Sequence, residues 1–478
     1  MSILTLEPKL DRLFSTQTFI VDWAVASLLA LVVYCAYQFW FSPLADIPGP
    51  LSCRLGLYGW QTMRAIKLDI GPQLKAWHDK TGSPLIRISA NELSCSDPAA
   101  IPYLYKKHDD HQDGKLFSKK NLLELEPVFD KVIDSFKFGQ SFGVLETNTD
   151  PENILDRIDL AVYGITVGGV HPKVAPALLK FARRFNLGDV NFVRNRATKC
   201  LDASIERFEA DGKQSSDLMS KMLTLDHYSG RKYDREEIEG MASVFFAAGS
   251  DTTAIVLRSF IYYMIRFPEV CQQLIQELTF ARESSTLSIP PTYEETLRLP
   301  FFQACLWETI RIHPSVHWIL PRVVPNEGLV LPLSNLSRYL SKGQEIGLSA
   351  YVVQRDIETF GKDANQFRPA RWIQDVEQGL LNKNLMMSRI LTFGSGSRVC
   401  LGKQLALMIV SKVLPELVLD FEFKVCPRGQ KTSPHLYKMG KSQEGIESVD
   451  EPWVSTSGFL GAQFDMWLNV NHRVQDLD

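Results

Sequence analysis

The stretch Phe393-Gly394-Ser395-Gly396-Ser397-Arg398-Val399-Cys400-Leu401-Gly402 restricts the fold of this 478-residue chain more than any other. Gly394 and Gly396 crowd a tight loop, and one cysteine stands near its end. The apolar run Leu405-Ala406-Leu407-Met408-Ile409-Val410 follows at once and reads as a helix, which places Cys400 in a loop just ahead of a helix N-terminus. The positive end of the helix dipole and the free backbone N–H groups there favour a thiolate. A lone thiolate makes a good single axial ligand for heme iron and a poor zinc site, since zinc takes about four ligands. The glycines let backbone approach a flat cofactor, and Arg398 can meet an anionic propionate.

The eight cysteines stand at 35, 53, 95, 200, 271, 305, 400 and 426, with no CxxC pair, so neither a disulfide framework nor a zinc ribbon is indicated. A formal net charge of -3 gives no reason to expect nucleic-acid binding. Residues 1–18 form a short polar lead. From Phe19 to Phe41 the chain is apolar except for Asp22, Ser27 and Gln38, with Trp23, Tyr37 and Trp40 near the ends. As a helix this run spans roughly 35 Å, enough for a bilayer core of about 30 Å, and it reads as a single transmembrane anchor. Pro48-Gly49-Pro50 then breaks the chain, giving a proline-rich hinge over 42–53. The alternation in Leu85–Leu93 predicts strands joined by a turn near Ala90-Asn91.

Asp234 with Glu237 forms a capping-box pattern that opens a helix running to Phe267, where Pro268 stops it and starts the next. Mid-helix lies Ala247-Ala248-Gly249-Ser250-Asp251-Thr252-Thr253, whose residues weaken a helix, so a groove is expected there. Glu308 and Arg311, at i,i+3, share one face of a helix that His313-Pro314 ends. Leu306, Trp307 and Ile310 around them suggest a buried pair.

Taken together these segments resemble the cytochrome P-450 (heme-thiolate monooxygenase) family, of the microsomal fungal secondary-metabolism type. Phe393 to Gly402 matches the heme-binding signature Phe-x-x-Gly-x-Arg-x-Cys-x-Gly, and 247–253 resembles the oxygen-binding motif Ala-Gly-x-Asp-Thr-Thr. Glu308 and Arg311 match Glu-x-x-Arg, and Phe367-Arg368-Pro369-Ala370-Arg371-Trp372 resembles Phe-x-Pro-x-Arg-Trp. The resemblance implies a mainly α fold with small β-sheets, one large domain over 54–478 behind the anchor. It implies heme b (iron protoporphyrin IX) ligated by Cys400 and framed by Phe393, Gly396, Arg398 and Gly402. Arg322, in Leu320-Pro321-Arg322, would also meet a propionate, Asp251 and Thr252 would relay protons, and Glu308, Arg311 and Arg371 would form a buried scaffold. The turn Ser455–Gly461 resembles a loop lining the substrate pocket.

One segment departs from the pattern. The family has a helix carrying a Trp or His and an Arg four residues on, yet this chain has no arginine between Arg87 and Arg157 and no tryptophan between Trp77 and Trp307. A block is missing near residue 114 by comparison with the family's usual length. His108, His111, Lys115 and Lys119 are the nearby substitutes for propionate partners. No Gly-x-Gly-x-x-Gly follows a strand, so electrons come from a partner, which the resemblance identifies as the NADPH–cytochrome reductase. The implied activity is insertion of one oxygen atom into a lipophilic small molecule of secondary metabolism, on the cytosolic face of the endoplasmic reticulum membrane. The rivals are a heme-thiolate isomerase or lyase, and a non-catalytic remnant lacking the propionate helix.

Overall fold

The computed structural model describes residues 7–105, 154–171, 192–210, 230–373, 383–425, 454–461, 463–464 and 468–473, with single positions 174, 175, 177, 180 and 184. The stretch around residue 114, with His108, His111, Lys115 and Lys119, and the polar excursion of 427–451 lie outside the described residues.

Helix α1, Glu7–Ala36, continues as a π-helical turn over Tyr37–Phe41. Pro8 stands in its first turn, where a missing N–H breaks no helical bond. The polar lead is therefore helical from Glu7, joined without a break to the apolar run. Val21–Phe41 is long and apolar enough to cross a membrane, and that window is not buried against the body.

The exit of α1 is fastened rather than loose. Arg87 is fully buried, and its Nη1 donates to the main-chain oxygens of Gln38 (2.8 Å) and Arg54 (3.3 Å). Arg338 grips Asp46 with both Nη atoms and donates to the Pro43 carbonyl at 3.0 Å. A side chain at Gly49 would stand 2.2 Å from the Arg87 carbonyl oxygen. The helical run ends at Phe41, well before Pro48-Gly49-Pro50; that segment is packed tightly, and a short helix opens at once over Leu51–Arg54.

Helices α2 (Gly59–Lys67) and α3 (Ile70–Thr81) lead into a four-stranded sheet. Strands β1 (Leu85–Arg87) and β2 (Glu92–Cys95) form the predicted antiparallel pair, with Leu85 opposite Cys95. Downstream come β3 (Arg322–Val323), the hairpin β4 (Leu329–Pro332) and β5 (Ser337–Leu340), and β6 (Glu345–Leu348). The sheet order is β1-β2-β6-β3, with β2 and β6 parallel. Leu93, Leu331, Leu340, Ile346 and Leu348 pack as its core.

The helical part holds α4 (Ile154–Val170), α5 (Phe192–Ala210), α6 (Arg235–Arg266), α7 (Pro268–Glu283), α8 (Pro300–Ile312) and α9 (Lys403–Asp420). The expected capping box starts α6: Asp234 accepts from the Glu237 N–H and Glu237 accepts from the Asp234 N–H, each at 2.9 Å. Pro268 opens α7 in the first-turn position that needs no N–H. The first donors of α8 are satisfied from α7, where Glu277 accepts from Phe301 N–H (2.9 Å) and Phe302 N–H (2.8 Å). Phe260, Leu274, Leu278, Phe302, Leu306 and Leu414 join α6, α7, α8 and α9 in one apolar core.

Apolar residues alternate from Phe464 to Val470 as in one terminal strand, yet the pairing there is divided between two. Strand β8 (Val454–Ser455) pairs with β9 (Gln463–Phe464), and β10 (Leu468–His472) pairs antiparallel with β7 (Phe421–Val425) directly after α9. The apolar alternation runs through both strands, so periodicity alone does not show where pairing changes partner.

Candidate active site

The loop before α9 folds on itself. Gly394 and Gly396 take φ of 70° and 71°, values that side chains rarely adopt, and a short 3₁₀ turn covers Gly396–Arg398. Cys400 N–H donates to the Phe393 carbonyl at 2.7 Å, and Lys403 N–H donates to the Cys400 carbonyl at 3.2 Å. Cys400 is exposed at the mouth of the loop, and Gly402 opens α9. A side chain at Gly402 would meet the Cys400 Sγ at 3.8 Å. The Lys403 ammonium lies 5.6 Å from the centre of the Phe393 ring.

Two opposing influences act on the Cys400 thiol. Desolvation by the surrounding protein raises the Cys400 thiol above the ordinary cysteine range. The Gly402 N–H, the Lys403 charge and the Lys403 N–H oppose that rise and do not cancel it. The N–H groups at the helix start thus favour the anion as the sequence predicts, and desolvation works against them. A coordinated metal deprotonates such a thiol outright. Among the described residues no three His, Cys, Asp or Glu side chains gather as a metal site. One accessible soft sulfur, met by backbone N–H groups on a glycine loop, suits a heme iron that takes a single protein ligand and does not suit zinc.

The two arginines expected near the propionates lie on different elements. Arg398 is half-buried in the 3₁₀ turn two residues before Cys400. Arg322 is half-buried on β3, its guanidinium 4.7 Å from the Tyr105 ring centre. Tyr105 is itself fixed between strands, donating to the Leu320 carbonyl at 2.8 Å and accepting from Leu348 N–H at 3.0 Å.

Asp251 and Thr252 are half-buried side by side on α6. Burial raises the Asp251 carboxyl above its usual range, and the Arg258 charge only partly opposes this. The helix α6 runs without interruption through 247–253. Within it the Thr252 hydroxyl donates to the Ala248 carbonyl at 2.8 Å. This back-bond within the turn lets a threonine stay inside a helix at little cost.

A second strip of chain reaches the same segment. Ser315 Oγ donates to the Thr252 carbonyl at 2.9 Å, and the Ser315 carbonyl accepts from Gly461 N–H at 2.9 Å. His317 N–H donates to the Phe459 carbonyl at 3.0 Å, and His317 Nδ1 lies 2.7 Å from Ser457 Oγ. The turn Ser455–Gly461 is therefore seated beside the α6 motif, and a side chain at Gly461 would strike the His317 ring at 2.2 Å. Sequence reasoning missed Ser315 and His317. Their only signal was polar character in a stretch too short for any periodicity.

The scaffold triad is present in full. Glu308 accepts from Arg311 Nε (2.9 Å) and Nη2 (2.8 Å), Arg371 Nε (2.9 Å), Arg368 N–H (2.8 Å) and Trp372 Nε1 (2.9 Å). Arg311 donates its remaining protons to the carbonyls of Gln354, Ala364 and Gln366. The side chains of Glu308, Arg311 and Arg371 are fully buried. Burial alone would raise the Glu308 carboxyl; the Arg311 hydrogen bonds and the two guanidinium charges outweigh it and hold the group below its usual range.

The cytochrome P-450 family profile matches residues 118–445. The cytochrome P-450 monooxygenase gsfF of Penicillium aethiopicum is 27% identical over 494 residues, covering 88% of this chain and 95% of gsfF. A cytochrome P-450 monooxygenase of Aspergillus flavus is 37% identical, covering 87% of this chain and 93% of its own. The monooxygenase mpaDE of Penicillium brevicompactum is 26% identical; the match covers 90% of this chain and 58% of that longer protein. With its cysteine loop, its buried Glu308–Arg311–Arg371 set and these relatives, the chain belongs to the cytochrome P-450 family, the heme-thiolate monooxygenases whose iron is held by a cysteine sulfur.

Proposed function

We propose that this chain inserts one oxygen atom from dioxygen into a lipophilic small molecule in a secondary-metabolite pathway, such as that of a terpenoid, polyketide or alkaloid. The observation behind this reading is Cys400, an exposed residue held in a glycine loop, in a chain matched by the cytochrome P-450 family over 118–445. In this assignment Cys400 ligates the iron of heme b, Phe393, Gly396 and Gly402 shape the loop, and Arg398 and Arg322 meet the propionates. Heme on a thiolate, when bound, supplies the oxygen-activating chemistry. The chain supplies position and protons. Asp251, whose carboxyl burial raises above its usual range, and Thr252, whose hydroxyl can exchange its Ala248 acceptor, form the relay.

In the same reading, residues 19–41 anchor the chain once through the endoplasmic reticulum membrane, with 42–53 as connector and 54–478 as one cytosolic domain. The electrons come from the membrane-bound NADPH–cytochrome reductase. The rival of a non-catalytic remnant rests on the block missing near residue 114 and on the absence of arginine between Arg87 and Arg157.

The spectrum of the reduced carbon monoxide complex decides between them. Full-length protein expressed with hemin is expected to show the strongly red-shifted Soret band of thiolate ligation. Cys400→Ser is expected to abolish that band. Colourless wild-type protein supports the remnant, and a band unchanged in Cys400→Ser refutes the ligand assignment.

A further inference from the structure

Gln354 caps the one-turn helix Ala350–Val353 and has no exposed surface. Its side-chain Nε2 donates to the Ile310 carbonyl (3.1 Å) and the Arg311 carbonyl (2.8 Å), at the end of α8. Its Oε1 accepts from Leu391 N–H (2.8 Å) and Thr392 N–H (2.9 Å), and the single Thr392 hydroxyl proton is shared between this Oε1 (2.9 Å) and the Ile310 carbonyl (3.1 Å). The next residue, Phe393, offers the carbonyl that accepts from Cys400 N–H at 2.7 Å, while the Leu391 carbonyl accepts from Gly394 N–H at 2.8 Å. On its main-chain side, the Gln354 carbonyl accepts from Arg311 Nη1 at 2.7 Å. One buried amide therefore stands between the Glu308–Arg311 pair and the root of the cysteine loop.

We propose that Gln354 is a positioning residue for the Cys400 sulfur, transferring the fixed position of α8 to the loop through its side-chain amide. The inference rests on the reading of Cys400 as the heme ligand. The physical reason is local. Leu391 and Thr392 belong to neither helix nor strand, so no backbone ladder supplies their N–H groups with acceptors. Take the amide away and two inward N–H groups lose their acceptor, leaving the loop to find others by shifting. A ligating sulfur tolerates little shift, since groups behind a ligand fix its orientation and its basicity.

The test uses the full-length protein, expressed with hemin, and reads heme content and the reduced carbon monoxide spectrum rather than turnover. Gln354→Met keeps length and apolar packing and removes all five side-chain hydrogen bonds. It is expected to lower the ratio of thiolate-type to blue-shifted Soret absorption by about tenfold to a hundredfold. Gln354→Glu, protonated in this buried site, keeps a carbonyl acceptor and one O–H donor and is expected to restore most of that ratio. Thr392→Val removes the hydroxyl that Oε1 and the Ile310 carbonyl share and is expected to shift the ratio the same way by a smaller factor. A wild-type ratio in Gln354→Met overturns the proposal. So does an equal loss in Gln354→Met and Gln354→Glu, which marks a merely structural amide. If Gln354→Met does not fold, Gln354→Asn, which keeps the amide but shortens its reach by one methylene, takes its place, and a wild-type ratio there overturns the proposal. The wild-type spectrum separates this failure from that of the underlying reading: without a red-shifted band in wild type, Cys400 is not the ligand, whatever Gln354 does.

Discussion

Glu308 and Cys400 are two ionisable groups of this chain built in opposite ways. Glu308 is sealed, accepts five hydrogen bonds, and is held ionised by two arginines that are themselves buried. Cys400 is exposed, and its surroundings raise its pKa. Asp251 sides with Cys400: it is half-buried, with its pKa raised. The difference shows how the chain separates tasks. A sealed set with every donor matched fixes geometry and does no chemistry. An under-compensated group that is not sealed is available to a ligand or a proton.

The largest effect should come from breaking the sealed set. Glu308→Ala leaves two guanidinium groups buried without their carboxylate, which typically costs about 3–5 kcal/mol. Urea unfolding of protein prepared without heme is the measurement, because the loss is expected there too. The contrast between the two regions fails if Glu308→Ala unfolds at the wild-type urea concentration and differs only in heme binding.

Both regions were legible in the sequence to different depths. The Glu-x-x-Arg spacing places Glu308 and Arg311 on one helical face, and Leu306, Trp307 and Ile310 point to burial, so the scaffold could be expected before any coordinates. The cysteine loop was legible as a pattern of glycines ahead of an apolar helix. Its electrostatics were not. Spacing reports the N–H groups and the lysine that favour an anion, whereas the opposing desolvation depends on tertiary packing. Gln354 and Ser315 were invisible for a related reason. Each works through hydrogen bonds to main-chain atoms far away in sequence, such as Leu391 and Thr252, and main-chain partners leave no residue-type signature. The absence of a break in α6 is a further case: Gly249, Ser250 and Thr252 lower helix propensity, but flanking turns and the core around Val256 and Phe260 hold the helix through.

Acid sharpens the comparison, because sealed groups titrate in the folding equilibrium. His78 is buried with its ring nitrogens 2.9 Å from the Ser83 carbonyl and 3.0 Å from Ser94 Oγ, and burial lowers its pKa to about 4. The unfolded chain takes up this proton near pH 6.5 and the folded chain does not until near pH 4. Stability from His78 is thus fully present above pH 6.5 and is lost as pH falls toward 4, by about 3 kcal/mol at most. Glu92, raised to about 7 by burial, acts with the opposite sign, its contribution being lost as pH rises from 4.5 to 7. His78→Gln should therefore remove about one proton from the acid slope of stability. An unchanged slope in urea midpoints between pH 4 and 6.5 would show that His78 titrates normally.

The smallest effect on stability should accompany one of the largest on chemistry. Thr252→Ala removes a hydroxyl whose hydrogen-bond partner here is a carbonyl of its own helix, and alanine is the better helix former. The net change in unfolding free energy should stay within about 0.5 kcal/mol. The thiolate-type carbon monoxide spectrum should also persist, because nothing in the loop before α9 bonds to the Thr252 side chain. What should fail is proton delivery: with Asp251 left and its neighbour's hydroxyl gone, NADPH consumption should continue while electrons leave as peroxide instead of product. The ratio of product formed to NADPH oxidised is the reading to take. A wild-type ratio in Thr252→Ala would place the relay elsewhere. A fall in stability comparable with that of Glu308→Ala would move Thr252 from the chemical side of the comparison to the structural one.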